Sequence, residues 1–265
     1  MADSTTTGAR GGAGRREEIM RRLQDAGFLS VTYLTAELGV SDMTVRRDLK
    51  QLAAAGELRV VHGGASLPHG TLRTADFASR AQHEREAKRR IARAAVGLVA
   101  PAATIAIDAG TTAFEVAAAL PDTFRGCVIT HSVPVLQHML HLPAARVIGL
   151  GGELLADSQA LVGALAVQAL AGLRAEVVFL GVAAVNERGL YVATDQERPT
   201  KLALMEAADR VVLLADRSKF SVSAPVRLAP LDTVDVLVTD APLAPATAEA
   251  ADRAGVAVHV GGGTA

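Results

Sequence analysis

VSDMTVRRDLKQLAAAGELRVVHGGA, residues 40–65, sets a cap, an amphipathic helix and a short β-rich segment in immediate succession. The hydroxyl of Ser41 is placed to cap a helix running from Asp42 to about Ala55, with Gly56 as its stop. At about 100° per residue, Val45, Leu49 and Leu52 collect on one side, while Met43, Arg46, Arg47 and Lys50 collect opposite. The apolar side packs and the basic side faces out. A charged face of this kind is either simply solvated or meets a polyanion. In a DNA major groove Arg forks onto guanine O6 and N7, and Lys meets phosphate. The flanking sequence favours DNA. Residues 57–67 alternate into a β-rich stretch around Gly63 and Gly64, which reads as a wing following a recognition helix.

Upstream, RREEIMRRLQDAG from Arg15 places Ile19, Leu23 and Ala26 at helical spacing before Gly27. A second short helix starts with Thr32 as its cap, carries Leu34 and Leu38, and stops at Gly39. Helix, three-residue turn (Gly39, Val40, Ser41) and helix is the helix-turn-helix layout. The start MADSTTTGARGGAG lacks the apolar core of a signal peptide, and residues 1–14 read as a flexible tail.

These residues resemble the winged helix-turn-helix of the DeoR family of bacterial transcriptional regulators. The family's recognition helix, Ser-x-x-Thr-[Ile/Val]-Arg-Arg-Asp-Leu, is matched by Ser41, Thr44, Val45, Arg46, Arg47, Asp48 and Leu49, and its His-Gly-Gly-Ala wing by His62 to Ala65. The family usually has Arg two residues before that His, where this chain has Val60, with Arg59 one place earlier. Strand side chains alternate faces, so Arg59 does not simply replace that arginine. The resemblance implies operator contacts from Ser41, Met43, Thr44, Arg46, Arg47, Lys50, Arg59 and His62 to double-stranded DNA.

Composition fits a regulator with two parts. Of 265 residues half are hydrophobic, 3% aromatic and 21% charged, which excludes disorder, collagen and coiled coil. The net charge of −1 hides a split. Residues 1–100 carry 16 Lys and Arg against 11 Asp and Glu, whereas residues 101–265 carry 11 against 17. A basic part joined to an acidic remainder suggests two tasks. Most of the basic excess lies in the run from Arg85 to Arg93, where a solvated helix face is a stronger reading than DNA contact. The single cysteine, Cys127, excludes an intrachain disulfide and a cysteine-cluster metal site. It reads as a reduced, buried thiol, which fits a cytoplasmic protein. No membrane-spanning stretch is found, and no cofactor is implied.

Residues 68–76 (PHGTLRTAD) read as a linker between the DNA-binding part, 15–67, and a second domain, 77–265. The second domain opens with a helix, FASRAQHEREAKRRIARAAVGLV, with Ile91, Ala94, Ala95 and Leu98 at helical intervals. Apolar strands then alternate with helices: 104–107, 127–129, 146–150, 177–180, 211–215, 234–238 and 256–260. This is the pattern of a mainly parallel sheet covered on both faces, an α/β fold, whose ligands bind beyond the carboxyl ends of the strands.

At those ends the sequence turns polar. Asp108, Gly110, Thr111 and Thr112 follow the first strand and open a helix, offering hydroxyls and unpaired amides to an anion. Thr130, His131 and Ser132 follow the second, and Gly151, Gly152 and Glu153 the third. Lys201 lies near a helix start after Thr194 and Glu197, and a later strand ends in Asp216, Arg217, Ser218, Lys219 and Phe220. Hydroxyls, amides and two lysines suit a phosphate, and Asp108, Glu153 and Asp216 suit sugar hydroxyls. Each motif alone is equally a turn or a cap. Their common position after parallel strands favours a site for a phosphorylated sugar or polyol.

The family resemblance extends through Asp-x-Gly-Thr-Thr, Thr-x-Ser, Gly-Gly-Glu, the Lys201 helix, Asp-x-Ser-Lys-Phe and Thr239-Asp240. His131 stands where the family has Asn, and Arg217 where many relatives have a small polar residue, so that Arg217 either adds a phosphate contact or narrows the pocket. The resemblance implies a sensor domain related in fold to ribose-5-phosphate isomerase, which binds a sugar phosphate as inducer. It also implies a repressor of a carbohydrate-utilisation operon. A homodimer or homotetramer is expected, because helix-turn-helix proteins commonly read two half-sites. The alternative is a sugar-phosphate isomerase-like enzyme on the same α/β domain, with Asp108 or Glu153 as base. No Walker loop or Ser/His/Asp arrangement supports it.

Overall fold

The computed structural model describes residues 11–26, 28–61, 64–66 and 76–261. The chain divides into two compact units, Met1–Thr74 and Ala75–Ala265. None of the helices among the described residues is long and apolar enough to cross a membrane.

The first unit holds α1 (Gly12–Ala26), β1 (Phe28–Ser30), α2 (Val31–Leu38), α3 (Asp42–Ala54), β2 (Arg59–Val61) and β3 (Gly64–Ser66). Its helix starts differ from the sequence reading in two places. α1 begins at Gly12, so residues 12–14 belong to the helix rather than to a tail. α2 is capped by Ser30, whose Oγ accepts the Tyr33 N–H at 3.0 Å, and Thr32 falls inside the first turn. Gly39, at φ 63°, supplies the left-handed C-cap that turns the chain towards α3. Ser41 caps α3 by accepting the Thr44 N–H. The strands form an antiparallel sheet in the order β1-β3-β2, which leaves β2 at an edge. Ile19 and Leu23 of α1, Leu34 of α2, and Val45, Leu49 and Leu52 of α3 close on Leu29, Leu58 and Ala65 to form one core. His62, Gly63, Leu67 and the linker residues 68–75 lie outside the described residues.

The second unit begins with α4 (Phe77–Gln82) and α5 (Arg85–Val96), where the sequence predicts one helix. The break falls at Glu84, in the left-handed region at φ 51°. The buried ammonium of Lys88 stabilises it by donating to the carbonyl oxygens of Arg80 and His83, which a continuous helix would have paired internally. There follow β4 (Thr104–Ile107), α6 (Thr111–Ala119), β5 (Cys127–Thr130), α7 (Val133–Met139), β6 (Arg146–Gly149), β7 (Glu153–Leu155), β8 (Ala160–Val162) and α8 (Ala164–Leu170). The chain continues with β9 (Val177–Gly181), β10 (Ala184–Asn186), β11 (Gly189–Val192), α9 (Arg198–Glu206), β12 (Val211–Leu214), β13 (Val226–Ala229), β14 (Val236–Thr239), α10 (Pro245–Arg253) and β15 (Ala257–Val260).

Seven of these strands form a parallel sheet in the order β15-β14-β12-β9-β4-β5-β6. Its central strands are apolar without interruption because both faces are covered. In β9, Val177 and Phe179 enter the core under α5 and α6, and Val178 and Leu180 the core on the opposite face. Cys127 is half-buried rather than buried. From β4 the chain moves to β5 and β6 on one side, then places β9 on the other. The gap beyond the ends of β4 and β9 is therefore the switch point at which such sheets form a crevice. Two small antiparallel sheets, β7 with β8 and β10-β11-β13, decorate the unit.

Candidate functional site

On the first unit, α3 presents the surface expected of a recognition helix. Met43 is 80% exposed, and Arg46, Arg47 and Lys50 are also exposed. Arg46 lies back along its own helix onto Asp42, with its NH2 at 3.2 Å from Oδ2. Any base contact by Arg46 therefore competes with a surface ion pair that by itself is worth little. Ser41 and Thr44 share a hydroxyl–hydroxyl hydrogen bond of 2.9 Å at the helix start. Arg59 and Val60 are both exposed on the edge strand β2. Asp48, in the middle of the recognition motif, has a different task. It is buried on the opposite side of α3 and accepts from Arg15 Nε at 2.6 Å, tying α3 to α1.

On the second unit the strand ends carry most of the residues singled out by sequence. Asp108, after β4, is completely buried. Its Oδ2 accepts from the Gly181 N–H at 2.9 Å and from the Lys201 ammonium, while Oδ1 lies 3.1 Å from His131 Nε2. Lys201 also donates to the Gly181 carbonyl at 2.9 Å. Burial pushes the Asp108 carboxyl up, but Lys201 and His131 outweigh it and hold the group well below the usual carboxylate range. Asp108 is thus an anion in every accessible neutral condition, and the ends of β4, β5, β9 and the start of α9 meet on it.

Two of the residues expected at the effector are thus bonded to each other. Lys201 is not extended towards a phosphate, because its ammonium is buried on Asp108 and a backbone carbonyl. Asp108 is fully buried, with Oδ2 accepting from Gly181 and Lys201 and Oδ1 beside His131 Nε2. The two residues form the floor of the crevice.

His131 is part of that floor. Nδ1 lies 3.0 Å from the Leu161 carbonyl oxygen, so the proton sits on Nδ1. Nε2 then either accepts the Ala109 N–H at 3.2 Å or, when protonated, donates to Asp108. Either state ties the β4 loop to β8, together with the Leu161 N–H that donates to the His131 carbonyl at 2.8 Å. Thr130 and Ser132 are also inward: Thr130 Oγ1 donates to the Ile107 carbonyl at 2.7 Å, and Ser132 caps α7. Gly152 is a packing glycine: at φ 141°, a Cβ there would lie 2.3 Å from the Val162 carbonyl oxygen. Glu153 is exposed on β7, and the structure gives it no hydrogen bond to the cluster around Asp108.

What remains open is of two kinds. Gly110 caps α6 with its backbone, so the amides at Thr111 and Thr112 face the crevice end of the helix. Two buried oxygens without partners lie at the carboxyl ends of parallel strands, Thr239 Oγ1 at the end of β14 and Asp216 Oδ2 after β12; Thr194 Oγ1 after β11, Thr200 Oγ1 in the first turn of α9 and Ser158 Oγ between β7 and β8 are likewise unpaired. Buried polar atoms are normally paired, so Thr239 Oγ1 and Asp216 Oδ2 make the carboxyl ends of β14 and β12 suited to a polar ligand. Asp216 itself is completely buried, and its Oδ1 accepts from the Ser218 N–H at 3.0 Å. Arg217 is turned away onto Asp240, whose Oδ1 accepts the Arg217 N–H at 2.7 Å and whose Oδ2 lies 3.2 Å from Arg90.

Sequence reasoning missed Lys88 and Arg80. Lys88 is 3% exposed. Burial first, and then the Lys219 ammonium, push it down to about 8. The signal was present: Lys88, Ile91, Ala92 and Ala95 share one helical stripe, and all four are buried.

The comparisons agree with this division. A family model described as the DeoR-like helix-turn-helix domain matches residues 15–71, and one described as the DeoR C terminal sensor domain matches residues 83–241. The HTH-type transcriptional regulator GlpR of Haloferax volcanii is 34% identical over 247 residues, covering 93% of this chain and 96% of its own length. The glycerol-3-phosphate regulon repressor of Escherichia coli is 31% identical over 229 residues, 86% of this chain and 90% of its own. Among solved structures, ribose 5-phosphate isomerase A from Methanocaldococcus jannaschii aligns with a TM-score of 0.39 at 19% identity, over 52% of this chain and 55% of that one.

Proposed function

Because the chain belongs to the DeoR family of DNA-binding transcriptional regulators, we propose that it represses a carbohydrate-utilisation operon in the cytoplasm and is released from its operator by a phosphorylated sugar or polyol. As a member of that family it is a regulator, not an enzyme. The DNA is read by the outer face of α3, with Met43, Arg46, Arg47 and Lys50, supported by Ser41 and Thr44 at its start and by Arg59 and His62 of the wing. Two or four copies of the chain place paired recognition helices on two half-sites.

The effector sits at the switch point beyond β4 and β9. The observation that supports this is the pair of unpartnered buried oxygens at the carboxyl ends of parallel strands, Asp216 Oδ2 and Thr239 Oγ1, together with the N-terminal amides of α6 after β4, which no side chain caps. Hydroxyl-rich, singly anionic-headed molecules fit that mixture of acceptors, hydroxyls and amides. A glycerol phosphate in one relative's name points to the same chemical class. Release follows from linkage: an effector that binds the operator-free arrangement better weakens operator binding by the same factor by which the operator weakens its own.

The test starts with selection of operator from a random duplex library by the full chain, followed by anisotropy titrations at fixed salt. Arg47→Ala is expected to weaken operator binding by about 1–3 kcal/mol, the range of a lost bidentate base contact. A panel of sugar and polyol phosphates, each beside its unphosphorylated counterpart, is expected to contain a compound that raises the thermal midpoint and weakens operator binding. Equal operator affinity in wild type and Arg47→Ala overturns the recognition-helix assignment. A panel without effect on either measurement overturns the effector class.

A further inference from the structure

Three cationic side chains, Arg80, Lys88 and Lys219, and the imidazole of His83 act on one another where α4 turns into α5 and β12 ends, and the sequence reading of the site contains only Lys219 among them. Lys88 Nζ donates to the His83 carbonyl at 2.6 Å and to the Arg80 carbonyl. An ammonium has three donors, so one is left over. The four groups act on one another through space. His83 is lowered by burial and then by Lys219 and Lys88. Arg80 is lowered by burial, against the pull of Glu197, Asp108 and Asp157, and its guanidinium donates to the Asp157 carbonyl at 3.5 Å. Asp216 is pushed up by burial and held down overall by Lys219, Ser218 and Lys88. Glu84 completes the set of charged groups acting on Lys88.

Like charges held together inside a protein raise its energy, as Lys88 and Lys219 are here, and Asp216, the carboxylate that acts on Lys88 most strongly, keeps an oxygen that pairs with nothing while fully buried. An anion with its own hydroxyl answers both features at once. Its charge offsets the crowded cations, and its hydroxyl donates to Asp216 Oδ2.

Resting on the effector reading above, we propose that the α4–α5 corner is the phosphoryl-binding half of the effector site, in which Arg80, His83, Lys88 and Lys219 hold a phosphate dianion and Asp216 Oδ2 accepts a hydroxyl of the same molecule. The amides of α6 and the hydroxyls along the strand ends then receive the carbon chain and its remaining hydroxyls. The corner lies on the first helix after the linker: Asp76 caps α4 by accepting the Ser79 N–H at 2.8 Å. The group that tells a phosphorylated ligand from a plain sugar is therefore gripped by the element through which the chain leaves for its DNA-binding unit.

Isothermal titration of the full chain tests this, with inorganic phosphate, glycerol 3-phosphate, ribose 5-phosphate and glucose 6-phosphate as probes. The expected result is that wild type binds at least one ester, and that Arg80→Ala and Lys219→Ala each weaken it by about tenfold or more, as loss of a charge-assisted hydrogen bond would. His83→Ala should weaken it less, and unphosphorylated glycerol, ribose and glucose should bind none of the variants. Lys88→Met is added with circular dichroism as a folding check, since Lys88 also holds α4; Arg80, His83 and Lys219 carry the test if it unfolds. If wild type binds an ester and Arg80→Ala, His83→Ala and Lys219→Ala titrate as wild type does, the corner is overturned while the effector class stands. If wild type binds none of the four probes, both fall.

Discussion

Replacing Lys201 by Met probes the floor of the crevice directly, and its size follows from burial. The Lys201 ammonium and the Asp108 carboxylate are both buried and bonded to each other. Removing one partner of such a pair leaves an uncompensated charge and costs about 3–5 kcal/mol. Asp108 would keep the Gly181 N–H and His131 as neighbours, which places the loss nearer the lower figure. For a unit of this size, about 3 kcal/mol lowers the thermal midpoint by roughly 6–12 °C. The sign with pH is fixed as well. In wild type the Asp108 carboxyl lies below its ordinary value, so its contribution is present at neutral pH and is lost only as pH falls through that low folded value. In Lys201→Met the carboxyl moves upward, and the deficit relative to wild type shrinks as acid protonates it. Neutralising the second charge in Lys201→Met with Asp108→Asn should recover most of the loss. The assay is urea denaturation followed by far-UV circular dichroism, since the chain has no tryptophan, with hydrogen exchange at the β4 and β9 amides to place the effect. A loss below about 1 kcal/mol, or a double variant no more stable than the single one, would refute a dry ion pair at the switch point.

Asp48→Ala should destabilise the first unit by about 2 kcal/mol, since it strips Arg15 of a short charged hydrogen bond that joins α1 to α3; it lies on the inner side of α3, so operator affinity measured well below the new melting temperature should change far less than in Arg47→Ala. Lys88, pushed down to about 8 by burial and Lys219, binds its proton less tightly folded than unfolded. Its charge is therefore a cost at neutral pH that fades as pH rises from about 8 towards 10.5, and wild type should gain up to about 3 kcal/mol relative to Lys88→Met across that window in pH-dependent urea titrations. Parallel curves would contradict it. The groups facing Lys88 in this window are Arg80, His83, Glu84, Asp216 and Lys219.

The sequence made legible what depends on local periodicity. All seven strands of the parallel sheet were visible as apolar runs between polar ends, because a strand covered on both faces needs no alternation. The exception in detail is β14, which starts at Val236, since the backbone at 231–233 forms a short 3-10 turn first. The strands of the two small antiparallel sheets were not legible: β7 and β8 span three residues each, and their pairing comes from a glycine that admits the Val162 carbonyl rather than from any pattern. The recognition helix was legible down to its cap, whereas Asp48 reads as one more motif residue until its partner 33 positions away is known. Lys201 shows the same limit more sharply. A lysine at the start of a helix beyond a strand suits a phosphate, and nothing local distinguishes that from a bond to a carboxylate 93 residues earlier.

These ties resolve an apparent conflict in the charge of the chain. Residues 101–265 carry 11 cations against 17 anions, and a domain with that excess repels a phosphate at long range. At physiological salt such repulsion fades beyond about 8 Å, so what decides binding is the charge within one or two side chains of the ligand. The most central anion, Asp108, is matched by Lys201 before any ligand arrives, and Asp240 by Arg90 and Arg217. Around Asp216 the local field is set by Lys88 and Lys219. Lys88 comes from the corner that follows the linker, not from the strand ends. A sensor whose anion grip sits on the strand ends alone would feel its ligand only in its own core. Under the proposed phosphoryl site, a grip drawn from α4 and α5 makes ligand occupancy act on the first helices of the second unit, and linkage requires any effect of that occupancy on operator binding to be reciprocal.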